Sequence, residues 1–254
     1  MDQDRVVRVW ALITEHAQRE GASASLRHVC VVCARAVAAT GSGLSITRGR
    51  GRHDPVATSD AASAELAELQ FTLGEGPSAD ALDGAGPVLA ADLSAAASRR
   101  RWPVFAPAAT KRGVLAMFSF PLELGAVRVG VLDLYRDRTG PLSGAQLADA
   151  LVFADAALLL VLDDRGGIPA AYADLVDGGF DEWRAEVHQA AGMLSVQLGV
   201  EVEEALVRLR AYAFTQDRRL AAVARDVIER RVRFDGGRAG KLPEGGNEPD
   251  GEEN

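Results

Sequence analysis

The chain has 254 residues, of which 48% are apolar and 25% charged, and a formal net charge of −8; that balance excludes wholesale disorder. Its longest apolar run, residues 151–162, contains Asp155 and falls short of the roughly 20 residues that cross a bilayer. The opening Met1-Asp2-Gln3-Asp4-Arg5 has no basic start before an apolar stretch, and Cys30 and Cys33 alone cannot make a disulfide framework. A cytoplasmic protein without membrane attachment is expected.

The first block alternates helical and strand patterns. Val6, Val9, Trp10, Ile13 and Ala17 recur at helical spacing up to Gly21. Ser25 is placed to cap a second helix with the face Leu26, Val29, Cys30, Cys33, Ala36 and Val37. Strand patterns follow at 44–47 and 55–58, then a short helix over 63–70 and the turn Leu73-Gly74-Glu75-Gly76-Pro77. Residues 87–90 read as a strand. The clearest strands are 114–122 and 127–135, joined by Glu123-Leu124-Gly125-Ala126, a hairpin-length connection. Ser143 begins a helix carrying Leu147, Ala150, Leu151, Ala154, Leu158 and Val161 on one face. Strands joined by a short turn predict an antiparallel sheet with helices on one side, an α+β domain over 1–163 with its core from about residue 25.

The Gly/Pro break Arg165-Gly166-Gly167-Ile168-Pro169 marks a linker over 164–179. Three helices are then expected within 180–234, at about 179–198, 201–214 and 218–233, with Gly199 ending the first and Asp217 capping the third. So short a unit builds a small core and is expected to pack on a neighbour or a second chain. Residues 235–254 hold Gly, Pro, Glu and Asp with almost no apolar side chains, the composition of a disordered acidic tail.

Few residues point to chemistry. Cys30 and Cys33 sit on the apolar face of a helix, where a small hydrophobe is expected, and His28 points away from Cys30. The remaining histidines (16, 53 and 188) lack zinc-like spacing. Gly74-Glu75-Gly76-Pro77 lacks the Lys-Ser/Thr ending of a phosphate loop and reads as a tight turn. Arg99-Arg100-Arg101-Trp102 reads as a solvated loop anchored by Trp102, or as an anion contact. Asp133 shares a strand face with Val127, Val129 and Val131; it fits a ligand pocket or the sheet's wet side, the latter being the simpler reading. No catalytic constellation, metal site or cofactor fingerprint is recognisable, so an enzyme is not expected.

Charge placement is more informative. Between residues 208 and 233 stand the arginines 208, 210, 218, 219, 225, 230, 231 and 233 against only Asp217, Asp226 and Glu229. Glu201, Glu203 and Glu204 gather at the start of the second helix, where they favour its dipole. A three-helix unit with one basic face, and with Tyr212 and Phe214 close by, offers phosphate contacts plus stacking, as RNA loops require.

His188-Gln189-Ala190-Ala191-Gly192-Met193-Leu194, Leu198-Gly199-Val200, Glu204-Ala205, Leu209-Arg210-Ala211-Tyr212-Ala213, Arg219-Leu220 and Val223-Ala224-Arg225-Asp226-Val227 closely resemble the ANTAR family of RNA-binding transcription antiterminator modules over about 180–234. Leu69-Gln70, Leu73-Gly74-Glu75-Gly76-Pro77, Gly113-Val114 and Gly130-Val131-Leu132-Asp133-Leu134-Tyr135 resemble a GAF sensor domain over roughly 25–163. The resemblance implies a GAF-like antiparallel sheet flanked by helices, followed by an all-α three-helix ANTAR domain. It implies that GAF receives a signal, with an unknown small-molecule ligand as an option. Dimeric ANTAR modules would then grip tandem RNA hairpins by their loops and favour an antiterminator. Carried onto this sequence, the RNA contacts would be Ala190, Gly192, Arg210, Ala213, Arg219 and Ala224, with Arg218 and Arg225 from the basic face. Trp183, Val187 and Leu194 would form a dimer seam. Ala191 stands where many relatives carry Lys, and Ser78 where they often carry Cys. The alternative function is a dimeric protein-interaction or small-molecule sensor module without RNA binding.

Overall fold

In the computed structural model, which describes residues 2–48, 52–84, 86–166, 178–235 and 238–241, the strand patterns of the first block join into one sheet. Its strands are β1 (Gly41–Arg48), β2 (Arg52–Thr58), β3 (Val88–Ala90), β4 (Ala116–Leu124) and β5 (Val127–Arg136). They lie in the order β2-β1-β5-β4-β3, with every neighbouring pair antiparallel. Pro55, which cannot donate to a ladder, is accommodated because β2 is an edge strand and the register shifts at Leu44/Ser45. Gly125, with φ of 61°, turns the β4–β5 hairpin. The α+β architecture expected from the sequence is present.

Helices cover both faces of this sheet, where the sequence led us to expect one. On one face lie α1 (Gln3–Arg19), α2 (Leu26–Ala36) and α7 (Gly144–Gly166), whose apolar stripes bury Leu44, Ile46, Phe118, Phe120, Leu132 and Leu134. On the other lie α3 (Ala61–Leu73), α4 (Pro77–Asp83), α5 (Ala96–Arg101) and α6 (Phe105–Lys111), enclosing Val88, Ala90, Met117, Val131 and Tyr135. The last three helices have 7, 6 and 7 residues, too short for a helical period to declare itself. Chain ends are fixed by local chemistry. Asp60 accepts from the Ser63 N–H at 2.9 Å, and Ser143 and Gln146 cap one another reciprocally at the start of α7.

By length and composition, residues 144–162 of α7 would also suit a bilayer, but half of that stretch is buried. Ala150, Phe153, Ala157 and Val161 lie in the core. On the same helix Asp149 is buried and accepts from both Arg5 and Arg8, tying α1 to α7. This is the pattern of a core helix.

Asp133 does not face water. It is 7% exposed, because α3 and α4 close over its side of the sheet. Its carboxylate accepts from the Ser119 and Ser78 hydroxyls, both at 2.5 Å, and from the Gln70 amide at 3.4 Å. Burial penalises the charge more than these donors relieve it, and the pKa is pushed up to about 6. The Gln70 side chain also accepts from the Ser78 N–H at 3.0 Å. Together these bonds lock the Gly74–Pro77 turn onto the sheet.

The chain divides into the units Met1–Arg184 and Ala185–Asn254. The second contains α8 (Gly178–Leu198, beginning just before the division), α9 (Val202–Thr215) and α10 (Leu220–Ile228). The third helix is shorter than the expected 218–233, and its N-cap position is held by Arg219, without a side-chain cap, instead of Asp217. Asp217 has φ of 48° and closes α9: its N–H reaches the Phe214 carbonyl and that of Arg218 reaches Ala213. Arg230, with φ of 60°, ends α10 in the same way. The chain then forms an antiparallel hairpin, β6 (Val232–Asp235) with β7 (Arg238–Lys241). The first part of the presumed tail is therefore paired, since Val232 and Phe234 supply alternate buried side chains. Most of the linker over 164–179 and all of 242–254 lie outside the described residues.

Two stability predictions follow from this packing. A side chain at Gly130 on the central strand would overlap the Ser45 carbonyl of β1, so Gly130→Ala lowers the unfolding free energy by about 1–3 kcal/mol in urea titrations. Asp133 has its pKa raised to about 6 against an unfolded value near 4. Its folded form holds the proton more tightly, so its contribution is present at low pH and lost as pH rises through about 6. Asp133→Asn therefore gains stability over wild type between pH 4 and 6, levelling at about 3 kcal/mol above that window.

Candidate nucleic-acid interface

Alanine is prominent in the core of the C-terminal unit. Ala190, Ala191, Ala205, Ala213 and Ala224 are fully buried together with Val187, Leu194, Leu209 and Val223. Alanine permits helices to approach closely without leaving voids. Ala190, Ala213 and Ala224 are therefore packing residues in this arrangement, closed to an RNA partner. Val187 and Leu194, expected in a dimer seam, are likewise fully buried. The Trp183 side chain lies outside the described residues. Ala191 is also fully buried.

The arginines stand outside this core, but most are engaged. Arg208 pairs with Glu204 at 2.5 Å, Arg218 with Asp226 at 2.6 Å, and Arg231 with Asp226 at 2.7 Å and with Glu229. Arg225 makes three hydrogen bonds of 2.9 to 3.1 Å to Glu186. Burial works against the charge on Asp226, yet the Arg218 and Arg231 guanidiniums outweigh it and hold the carboxyl below its usual range. Exposed pairs of this kind are each worth about 0–1 kcal/mol, so an incoming phosphate can replace the carboxylate at little cost. Arg210 is half-buried on α9, and Arg219 is exposed at the start of α10. Arg230 and Arg233 are exposed and have no carboxylate partner among the described residues. Tyr212 packs edge-on against Phe234 with centroids 5.1 Å apart, which occupies one of the two expected stacking rings. Phe214 is 47% exposed.

Beside the two unpaired arginines lies a cavity of about 740 Å³. One wall is a face of α8, with Gln189, Gly192, Met193, Val196 and Gln197; the other is Val227, Arg230, Val232 and Arg233. Of the expected RNA contacts, Gly192 alone lines it. Sequence reasoning counted Arg230 and Arg233 in the basic segment without singling them out. The α8 wall was readable, since 189, 193, 196 and 197 fall on one helical face. The second wall was not, because it depends on α10 stopping at Ile228.

In the N-terminal unit the candidate features are structural. Cys30 and Cys33 are fully buried and form no disulfide, and burial pushes the Cys33 thiol well up. His28 is buried too; its Nδ1 accepts from the Ser25 N–H at 3.1 Å and its Nε2 faces Glu20 at 3.1 Å. Glu75 in the glycine turn accepts from the Val104 and Phe105 N–H groups at 2.7 and 2.6 Å, capping α6. Arg99, Arg100 and Arg101 end α5, a short helix where a loop was expected. Trp102 is buried and, with Arg101, donates to Asp80. The space beside Asp133 amounts to only 10 Å³, room for about one water.

Parts of the chain are similar to known proteins. Solved structures similar to this chain include the GAF domain of a phosphoenolpyruvate-protein phosphotransferase from Coxiella burnetii (17% identity, 65% of this chain and 98% of that one, TM-score 0.48). Another is the GAF domain of the Acinetobacter phosphoenolpyruvate-protein phosphotransferase (13% identity, 64% and 94%, TM-score 0.46). A third is a domain of a putative two-component sensor histidine kinase from Sinorhizobium meliloti (17% identity, 54% and 89%, TM-score 0.45). No curated protein matches the sequence. Residues 182–228 match the ANTAR domain family. Three helices packed through alanines with arginines outside, together with that match, identify residues 182–228 as an ANTAR domain.

Proposed function

We propose that this chain is a signal-responsive regulator, not an enzyme, which binds RNA through its ANTAR domain and acts by transcription antitermination. The observation that carries the reading is the family match over 182–228, since this family comprises RNA-binding antiterminator modules. The N-terminal unit serves as the GAF-type sensor, a role supported by its sequence motifs and by its five-stranded antiparallel sheet. The regulator works in the cytoplasm as a homodimer whose paired ANTAR domains engage tandem hairpin loops. Gly192, Arg210, Arg218, Arg219 and Arg225 contact the RNA. Its GAF unit takes an unidentified small molecule or signal; with Ser78 donating its hydroxyl to Asp133, a thiol at that position is not the sensor.

The competing reading is a dimeric protein-interaction or small-molecule sensor module that does not bind RNA. It is favoured by the carboxylate partners of Arg208, Arg218, Arg225 and Arg231. Magnitude weighs against it: exposed ion pairs contribute little, whereas several phosphates contacted together release counterions and bind strongly at low salt.

The two readings part on a binding measurement with the full chain and a leader RNA bearing two hairpins. The RNA reading expects binding that weakens steeply between low and physiological salt. Arg210→Ala or Arg219→Ala each lowers affinity about tenfold and reduces the salt slope by about one. A dimer that binds no such RNA at low salt leaves the interaction module standing in its place.

A further inference from the structure

We propose that the cavity between α8, the end of α10 and β6 receives one unstacked nucleotide of a single-stranded RNA loop. The base enters the cavity and its phosphate meets Arg230 and Arg233. The assignment rests on the RNA-binding reading above and names the place and the chemistry of recognition.

The cavity, about 740 Å³, is roomy for a base and ribose. Its floor is apolar, formed by Met193, Val196 and Val227, and Val196 is 86% exposed. An aliphatic and thioether floor suits the face of a flipped base. Gln189 and Gln197 stand on the α8 wall; each side-chain amide offers both donors and an acceptor, the complement of a base edge. No carboxylate lines the cavity among the described residues, whereas two arginines without carboxylate partners do. An apolar floor with cations alone around it is complementary to an apolar ring bearing a phosphate.

Two residues there are otherwise out of place. Gly192 lies inside α8, where glycine is disfavoured, yet a Cβ built on it would meet no atom within 4 Å. No helix contact requires its bareness, and what the missing side chain leaves open is the cavity. Arg230 has φ of 60° at the end of α10, a position glycine normally fills. An arginine held there in a costly conformation, exposed and lining the cavity, has no packing reason of its own. Both are explained by a ligand that needs space at one residue and a positive charge at the other.

The test starts from a pool of RNA hairpins with randomised loops, selected on the full-length protein at low salt. Gly192→Leu fills the cavity, and Arg230→Gly removes the charge while relaxing the backbone. Each is expected to lower affinity for the selected hairpin about tenfold or more, with a melting temperature at or above wild type. Deleting one loop base, leaving an abasic site, is expected to cost wild type the same factor and Gly192→Leu nothing further, because base and cavity act as one pair. Selected RNA bound equally well by wild type and Gly192→Leu overturns the cavity assignment while leaving RNA binding intact. Unchanged RNA binding with loss of self-association in Gly192→Leu overturns it in favour of a second copy of the chain. A pool from which wild type retains no hairpin removes the RNA reading, and this assignment falls with it.

Discussion

Close approach of helices through alanine is the constraint on which the C-terminal unit depends. Its helices have 21, 14 and 9 residues, and so short a unit builds only a small core, in which alanines stand among Leu194, Leu206, Leu209 and Leu220. Five fully buried alanines among them permit the backbones to approach closely. The consequence is a division of labour along each helix. Small residues are consumed by packing, and the long cationic ones are left outside.

The N-terminal unit follows a different rule. A sheet covered on both faces must place some polar residues inside, and each then needs a partner. Asp133 is the clearest case, held by Ser78, Ser119 and Gln70. Those partners come from α3, the start of α4 and β4, so one carboxylate fastens three elements that no apolar stripe would have brought into register. The tie between Arg5, Arg8 and Asp149 does similar work on the opposite face.

Surface charge needs a different reading from sequence charge. Eight arginines against three acids looks like an open cationic face, but Asp226 alone engages Arg218 and Arg231, and Glu186, from α8, engages Arg225. Charge counted along a chain ignores partners that folding brings from elsewhere. The unpaired pair, Arg230 and Arg233, was distinguished only by the turn after Ile228, which carries both to the cavity beside α8.

What the sequence determined by itself was whatever depends on neighbours near in the chain. Helical stripes in α1, α2 and α7, the β4–β5 hairpin, the Ser143 cap and the alternation of the strands were all readable, because period and capping are local properties. The spaced motifs of the C-terminal block were readable for the same reason. Tertiary structure decided the rest. Whether Asp133 meets water depends on α3 and α4, which arrive from more than 50 residues away, and whether Gly192 meets a neighbour depends on where α10 stops. An alanine and the glycine next to it look alike in the sequence. Only the packing of separate helices makes Ala191 a part of the core and leaves Gly192 beside an open cavity.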